Sequence, residues 1–494
     1  MARYSQLKTK PTKPVELAEG IVLNEAGGAA YAKGTKEEIV SILINSLMGD
    51  KYYEKAEDTE KRLRTLTRKN PYFAAQAAIY ARNVHGMRSV SHVVATEIVD
   101  CVKGEAWTRR AVDKIVFRVD DMTEILALWI ARNGKRKIPN SLKKGLAEAF
   151  DKFDAYQLAK YKGERREVSL IDVVNLVHPK PGDKNREALK QLVNGTLVSK
   201  DTWEAKLSAA GQATQNAEEK AELKNLAWQD LVVNRKIGYL ALLRNLRNIE
   251  QQADPMVLKI ALEMLVNEKL VKNSKIFPFQ FMSAYNQVSN REILSALNKA
   301  IDISLSNIPN LGGSTLIAVD HSGSMGHGIG SNKFIGDLFA AAFYKKNPTS
   351  DLIVFGTTAG YARLDAETST LSLAEKIGRE DHGGGTNMSA IFEVAKKGYD
   401  RVIIFTDEQS WIGGNDRYAN YYGTNVASAF NQWRADNDVD PYVYAFDLGG
   451  YATKQFASGK TIQLGGFSDK IFDLMESFEV DPRALIAEVE KVVI

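Results

Sequence analysis

A chain of 494 residues is too long for a single hydrophobic core, which stops growing at about 250–300 residues, so the sequence predicts at least two domains. Its composition, 44% hydrophobic and 26% charged, is typical of a soluble globular protein, and it holds no apolar run of the ~20 residues that a membrane helix needs. The only cysteine, Cys101, excludes an intrachain disulfide and a cysteine-based zinc site. The first residues lack the apolar core of a signal peptide, so we expect a cytoplasmic protein with no membrane partner.

Charge is distributed unevenly along the chain, although the net charge is only +4. Residues 1–300 carry 49 basic and 36 acidic side chains, a net of +13, whereas residues 301–494 carry 16 and 25, a net of −9. A strongly basic half favours a polyanionic partner, and RNA or DNA is the obvious kind. The alternative is that the two halves neutralise each other where they meet.

Residues 1–300 are predicted to be mainly helical, because apolar residues recur there at three- and four-residue spacing. The clearest segments are Lys36–Met48, Tyr72–Val84, Met122–Arg132, Ser141–Phe153 and Val257–Leu265. Proline, glycine and asparagine residues separate them. Many amphipathic helices with short breaks predict an all-α array or helical-repeat solenoid, although no clean sequence period is visible.

The densest basic region of this half lies between Arg132 and Arg186. Lys160-Tyr161-Lys162 places an aromatic ring between two cations, a combination able to contact phosphate and stack on a base. Any one of these charges alone is more simply explained as a solvated helix face, but the cluster favours a polyanion. The candidate RNA-binding residues are Arg136, Lys137, Lys143, Lys144, Lys160, Lys162, Arg165, Arg166, His178 and Lys180.

The pattern changes in residues 312–494, where short β-rich apolar runs alternate with helical stretches such as Lys333–Lys345 and Leu371–Ile377. This alternation predicts a doubly wound, Rossmann-like parallel sheet that helices cover on both faces. We place the domain boundary in the Pro/Gly-rich segment that begins at Asn307, giving domains at 1–306 and 307–494. The predicted strands are Ser314–Asp320, Asp351–Gly356, Arg401–Asp407 and Pro441–Asp447.

Oxygen-bearing side chains follow two of these strands and one glycine-rich loop. Asp320, Ser322 and Ser324 form an Asp-x-Ser-x-Ser turn after the first strand, Thr386 follows three glycines, and Asp407 ends a later strand. Ligands bind at the carboxyl ends of strands in such sheets, and these hard oxygen donors suit Mg²⁺ or Mn²⁺ better than zinc. The five positions resemble the metal-ion-dependent adhesion site of von Willebrand factor A domains. The alternative is a domain of this fold whose site is empty.

The resemblance implies a binding site rather than a catalytic one, with an open coordination position that an acidic side chain of a protein partner fills. We find no Walker motif and no evident base near the turn, so we do not expect an enzyme. His321, His327 and His382 lie close to the loops and are predicted to be solvent-exposed. Two rival hypotheses stay open: a metal-dependent hydrolase acting on RNA, and a metal-dependent protein-binding adaptor, including an extracellular adhesion protein.

Four stretches of the basic half resemble the TROVE module: Asn24–Gly28, Gly134–Leu146, Lys160–Lys162 and Asp172–Pro181. A TROVE module followed by a von Willebrand factor A domain is the layout of the Ro autoantigen family in its bacterial form. The resemblance implies a ring of HEAT-like helical repeats that binds small noncoding Y RNAs on its outer surface and the 3′ ends of misfolded RNAs through its hole. It also implies RNA quality control with an exoribonuclease such as polynucleotide phosphorylase.

The same resemblance assigns roles to individual residues of the basic half. Lys160 and His178 fall where the family has Y RNA-binding residues, and Lys143 and Lys144 fall in its basic helix. His178 has a second interpretation, as the residue that ends a helix before Pro179.

Overall fold

The computed structural model describes residues 21–26, 28–45, 55–161, 167–197, 203–274, 276, 278–304, 308, 311–328, 330–410, 425–451, 453–456, 460–464, 475, 479 and 484–494. Eighteen helices of this described part precede the main sheet. They are α1 (Thr35–Asn45), α2 (Ala56–Lys69), α3 (Pro71–Asn83), α4 (Ser89–Cys101), α5 (Ala106–Ile115), α6 (Val119–Asn133), α7 (Asn140–Ala149), α8 (Ala155–Lys160), α9 (Leu170–Val177), α10 (Arg186–Val193), α11 (Trp203–Gln212), α12 (Ala217–Val233), α13 (Tyr239–Arg244), α14 (Leu246–Gln252), α15 (Pro255–Leu265), α16 (Glu268–Ser274), α17 (Pro278–Tyr285) and α18 (Arg291–Ser304).

Local signals explain where several of these helices begin. Helix α3 starts at Pro71, and the side chain of Asn70 accepts a hydrogen bond from the backbone N–H of Phe73. Ser169 and Asp172 cap α9 reciprocally, each side chain accepting from the other residue's backbone N–H. Both arrangements satisfy N–H groups that the first helical turn leaves without partners. The N-terminal half is therefore helical for the reasons that its sequence predicts.

Each helix of the array packs mainly on helices one to three positions away in the chain. Helix α4 contacts α2, α3 and α6, α7 contacts α5 and α9, and α15 contacts α12, α13 and α18. The apolar faces that these contacts cover form one continuous core, with a smaller cluster around Trp228. This layered packing confirms the prediction of an all-α array.

The C-terminal part is an α/β domain built on a six-stranded sheet. Its strands are β3 (Thr315–Asp320), β4 (Asp351–Phe355), β5 (Ala359–Tyr361), β6 (Arg401–Thr406), β7 (Tyr442–Asp447) and β9 (Thr461–Leu464). Their order in the sheet is β5-β4-β3-β6-β7-β9, and all neighbouring pairs are parallel except β4–β5. The helices here are α19 (Asn332–Lys346), α20 (Thr370–Gly378), α21 (Ser389–Val394), α22 (Asn425–Asn437) and α23 (Ala484–Glu490). The predicted doubly wound parallel sheet is confirmed, and two edge strands that were not predicted, the antiparallel β5 and the parallel β9, extend it.

Both ends of the helical array contact the α/β domain. At the N-terminal end, strands β1 (Ile21–Leu23) and β2 (Ala29–Ala32) form an antiparallel hairpin whose second strand pairs with β8 (Thr453–Lys454). Helices α1 and α3 also pack on α23. At the other end, α18 packs on α20. The helices and the α/β domain therefore close into a ring.

Three details differ from the sequence predictions or lie beyond them. Strands β1 and β2 were not predicted, because residues 21–32 are short and rich in alanine and glycine. Three residues of the proposed domain boundary, Asn307, Pro309 and Asn310, lie outside the described residues; α18 ends at Ser304 and β3 begins at Thr315. Among the described helices, none is both long and apolar enough to span a membrane.

Candidate metal centre and nucleic-acid interface

The first loop of the candidate metal centre is fixed by the strand that precedes it. Every residue of β3 is buried, and Asp320 is its last residue. One carboxylate oxygen of Asp320 accepts a hydrogen bond from the backbone N–H of Ser322 at 2.8 Å, and the other accepts from the Thr406 hydroxyl at 2.7 Å. The hydroxyl oxygens of Ser322 and Ser324 lie 3.2 Å apart. One carboxylate and two hydroxyls are thus gathered at the carboxyl end of β3.

Close backbone contacts bring the second loop against the first. The N–H of Gly323 donates to the carbonyl of Gly384 at 2.9 Å. A Cβ atom on Gly356 would lie 2.2 Å from the carbonyl oxygen of Gly383, so only glycine allows this approach. Thr386 follows directly and is buried. The glycine-rich loop therefore carries Thr386 to the same edge of the sheet.

The third loop brings a second carboxylate. Asp407 follows β6, which pairs in parallel with β3, so both acids lie at one edge of the sheet. Asp407 is fully buried, and burial together with the charge of Asp320 raises its pKa to about 8, while the Ser324 hydroxyl acts in the opposite direction. Burial also raises the pKa of Asp320. The two acids cannot both be charged cheaply without a cation between them.

The residues present fit a divalent ion. Within the described part of the chain, Oδ2 of Asp407 is buried and has no hydrogen-bond partner. Buried acceptors without partners are costly, and a bound cation would satisfy this one. Every predicted ligand offers oxygen, the donor that Mg²⁺ and Mn²⁺ prefer. The ion itself stays a prediction of this donor set.

Two residues near the centre have functions that the sequence analysis missed. His321 is buried, not exposed as predicted: its Nε2 lies 2.7 Å from Asp337 of α19 and its Nδ1 lies 3.0 Å from the Glu380 carbonyl oxygen. It joins the first loop to a helix, and no local pattern in the sequence indicates Asp337 as its partner. Thr406 was also missed, although its position one residue before Asp407 places it at the strand end. His327 is exposed, as expected, and His382 is partly buried.

A second group of potential metal ligands, His92, Asp121 and Glu124, lies in the helical array. Asp121 is buried and accepts hydrogen bonds from the guanidinium groups of Arg82 and Arg88. Its hydrogen bond with His92 and the charge of Arg82 hold its pKa far below the usual range, against the effect of burial. Because arginine already supplies the positive charge, this group is an ion-pair network that joins α3, α4 and α6.

The candidate RNA-binding residues are distributed over consecutive elements of the array. Lys143 is half-buried and Lys144 exposed on α7, Lys160 is exposed at the end of α8, and His178 and Lys180 are exposed after α9. Lys137 is exposed in a 3₁₀ turn at Lys135–Lys137. Three of the predicted residues and one side chain lie outside the described structure: Lys162, Arg165, Arg166 and the side chain of Arg136. Since α7 packs on α9, and α10 packs on both α8 and α9, these elements form one neighbourhood.

Two local features make this neighbourhood suited to nucleic acid. Two cations lie over the Tyr161 ring, with Arg118 Cζ 5.0 Å and Lys160 Nζ 5.5 Å from its centroid. Lys144 lines a groove of about 400 Å³ together with Lys103 and Arg109, two basic residues that the sequence analysis did not select. They come from α4–α5, remote from the basic cluster in sequence.

His178 ends helix α9 in a left-handed conformation, with φ 48°, and its N–H donates to the Val174 carbonyl at 2.9 Å. The interpretation as a helix-ending residue is therefore correct. The ring is also exposed, so this structural function leaves it accessible to a ligand.

Comparison with known proteins places the helical array in a defined group. The TROVE domain matches residues 33–226 and 194–309. The RNA-binding protein RO60 of Deinococcus radiodurans is 24% identical over 462 residues, covering 80% of this chain and 85% of that protein. The crystal structure of the Deinococcus radiodurans RO (RSR) protein covers 93% of this chain and 100% of its own, with a TM-score of 0.58 at 17% identity, which shows the same fold.

Telomerase protein component 1 gives a more limited match. The Rattus norvegicus protein is 26% identical over 168 residues, and the Mus musculus protein is 21% identical over 306 residues. The chain spans only 6% and 11% of the lengths of these two relatives. The likeness to them is therefore confined to a part of each.

Proposed function

Since the chain belongs to the Ro/TROVE family of RNA-binding proteins, we propose that it is a noncoding-RNA-binding scaffold, which takes Y RNA-like molecules and the 3′ ends of misfolded RNA. The scaffold acts in RNA quality control with an exoribonuclease partner such as polynucleotide phosphorylase. The observation that carries the proposal is the coincidence of the TROVE match, residues 33–309, with the half of the chain whose net charge is +13.

The exposed cations of α7–α9 supply the contacts for such an RNA. Phosphate binding by lysine releases counterions and provides most of the affinity without reading sequence. The Tyr161 ring adds a stacking surface beside two cations, which suits an unpaired base. We infer that His178, which is exposed at the end of α9, contributes more to binding a structured RNA than to binding a generic single strand.

A triple lysine variant tests the RNA site. Lys143→Ala, Lys144→Ala and Lys160→Ala together should weaken RNA binding and reduce the log–log salt slope by up to about 2, at about 0.7 per lost contact on single strands. The matched control removes three exposed lysines of the acidic domain, Lys346, Lys376 and Lys396, and should change neither quantity. Full affinity in the first variant would place the RNA site elsewhere. His178→Ala should reduce binding of a structured small RNA more than binding of a generic single strand.

The α/β domain contributes a separate binding function. We propose that Asp320, Ser322, Ser324, Thr386 and Asp407 hold Mg²⁺ or Mn²⁺ and leave one position open for an acidic side chain of a protein partner. The support is the buried, partnerless Oδ2 of Asp407 beside a second buried acid. An ion there would supply a Lewis-acidic contact for a carboxylate.

Metal titration of Asp320→Ala tests this assignment, because the variant loses the only charged ligand of the first loop. Calorimetry should show Mn²⁺ binding in the unaltered protein and none in the variant, while RNA affinity stays equal in both. Purified protein should leave RNA intact with or without Mg²⁺. RNA turnover that disappears in Asp320→Ala would instead identify a metal-dependent hydrolase.

A further inference from the structure

The turn after β1 contacts the third loop of the candidate metal centre directly. Asn24 is buried, and its Nδ2 donates to the backbone carbonyl of Ser410 at 2.7 Å. Its Oδ1 accepts from the N–H groups of Ala26 at 3.1 Å and Gly28 at 2.8 Å, which shapes the turn between β1 and β2. The N–H of Glu25 donates to the side chain of Gln409 at 2.9 Å. Asn24 and Glu25 thus contact residues that are more than 380 positions away in the sequence and lie within three residues of Asp407.

Ser410 is also the residue that connects the second and third loops. Its hydroxyl donates to the carbonyl of Thr386 at 3.2 Å and accepts from the N–H of Met388 at 3.1 Å. One end of Ser410 therefore contacts the loop that supplies Thr386, and its carbonyl contacts Asn24. A displacement of Asn24 changes the support of two predicted ligands together.

The hairpin has a second attachment to the same loop through β8. Tyr31 and Ala32 pair with Lys454 and Thr453, and the Gln409 side chain donates to the Thr453 hydroxyl at 3.4 Å. The backbone N–H of Gln455, the residue after β8, donates to the Glu408 carboxylate at 2.8 Å. The loop after Asp407 is consequently held from two sides by the small sheet that β1, β2 and β8 form.

A buried ion pair fixes the point where this hairpin passes into the helical array. Lys33 Nζ lies 2.6 Å from Asp447 at the end of β7, and both side chains are almost fully buried. The same ammonium donates to Ser41 of α1 and to the carbonyl of Tyr451. The junction therefore joins α1 to the carboxyl end of β7, at the same edge of the sheet as the candidate metal centre.

We propose that the N-terminal clasp, defined as strands β1 and β2 with the turn residues Asn24–Ala26, couples closure of the ring to the geometry of the metal centre, with Asn24 as a positioning residue. The proposal rests on the metal site proposed above. A closed clasp holds the second and third loops in the arrangement that binds the ion. By reciprocity, a bound ion favours the closed clasp and hence the closed ring.

Mn²⁺ titration of Asn24→Ser tests the coupling. Serine keeps an acceptor for the turn but cannot reach the Ser410 carbonyl, and it adds no charge near the centre. We expect Mn²⁺ affinity to fall by about 5- to 50-fold, within the usual range of coupling between sites. The matched control is Asn290→Ser, which alters an asparagine that accepts from Glu292 and Ile293 at the start of α18 and should leave affinity unchanged. If Asn24→Ser does not fold, Thr453→Val replaces it, since it removes the β8 hydroxyl that accepts from Gln409 and changes no residue of the third loop.

Hydrogen exchange of the full chain supplies the reciprocal measurement. Mn²⁺ should slow amide exchange in β1 and β2 of the unaltered protein and leave it unchanged in Asp320→Ala. If Asn24 only stabilised the fold, exchange in the clasp would not respond to Mn²⁺. Mn²⁺ binding by the unaltered protein and its loss in Asp320→Ala would support the metal site. If Asn24→Ser then binds Mn²⁺ normally and amide exchange in the clasp does not change with the ion, the coupling proposal is wrong and the metal site is retained. If the unaltered protein binds no Mn²⁺, both proposals are overturned.

Discussion

Replacing Asp407 with asparagine should stabilise the metal-free protein while abolishing its response to metal. The carboxyl group is fully buried, and its pKa rises from an ordinary 3.8 to about 8. At pH 7 the unfolded chain carries this group ionised, whereas the folded, metal-free chain favours the neutral form. The difference from 3.8 to 7 is about 3 pKa units, or roughly 4 kcal/mol of unfolding free energy at 1.36 kcal/mol per unit.

Part of that gain is offset in the variant, because the asparagine NH₂ must itself be buried, at a cost of about 1–3 kcal/mol if it finds no acceptor. We therefore expect Asp407→Asn to raise the unfolding free energy by about 1–3 kcal/mol in chelator. The sign also fixes a pH dependence for the unaltered protein. Because the pKa of Asp407 is higher in the folded than in the unfolded chain, protonation of this group contributes stability to the unaltered protein. That stability is fully present below pH 3.8 and is lost as the pH rises toward 8.

Urea denaturation with chelator and with Mn²⁺ measures both effects. The unaltered protein should gain stability from Mn²⁺, and Asp407→Asn should gain none. Asp400→Asn is the control of opposite sign: hydrogen bonds from the backbone N–H and hydroxyl of Ser314 lower the pKa of Asp400, so its neutralisation should destabilise. A destabilised Asp407→Asn in chelator, or one that Mn²⁺ still stabilises, would refute the reasoning.

Three further predictions concern packing around the two sites. Gly356→Ala should lower Mn²⁺ affinity in calorimetry, because its Cβ would lie 2.2 Å from the Gly383 carbonyl oxygen. Gly384→Ala, whose Cβ would have no atom within 4 Å, should not change it, and equal Mn²⁺ affinities of the two variants would contradict this prediction. Gly145→Ala should cost about 1–3 kcal/mol in urea denaturation, since its Cβ would lie 2.7 Å from the Arg109 carbonyl oxygen, while Gly211→Ala, in open contact with flexible lysine ends, should stabilise slightly. Asp121→Ala should cost about 3–5 kcal/mol by leaving the buried Arg82 guanidinium without its partner, and a loss below about 1 kcal/mol would show that Arg82 finds water or another acid.

The four strands that the sequence predicts in the α/β domain match the structure to within one residue at each end, whereas β5 and β9 were not predicted. The sequence predicts Ser314–Asp320 and Pro441–Asp447, and the structure has Thr315–Asp320 and Tyr442–Asp447. Buried parallel strands form unbroken apolar runs that end abruptly at a polar residue, so the local sequence shows where each strand begins and ends. The same property placed Asp320 and Asp407 at one edge.

Helix ends were less predictable, because competing local geometries differ little in energy. Ser141–Phe153 was predicted as one helix, but α7 ends at Ala149 and a 3₁₀ turn follows at Phe150–Lys152. Tightening of the last turn in this way is common, and apolar spacing does not distinguish it from a continuing helix.

Contacts between distant segments were not predictable from one sequence. Asn24 was selected only for its resemblance to a motif, and nothing in its neighbourhood indicates that it contacts Ser410. His321 was predicted to be exposed because it follows a strand in a polar loop, yet Asp337 of α19 covers it. Such partners are decided by the tertiary fold, which local patterns do not encode.

The pairing of β2 with β8 imposes an order on how the molecule can be built. Tyr31 must wait for Lys454, about 420 residues later in synthesis, which at roughly 5–20 residues per second is a delay of about 20–85 s. Throughout that time the helices can stack on one another as they emerge, since each contacts near neighbours. The pairing of β2 can form only once β8 has been made, so every newly made molecule passes through a stage in which the hairpin is not yet paired with the α/β domain.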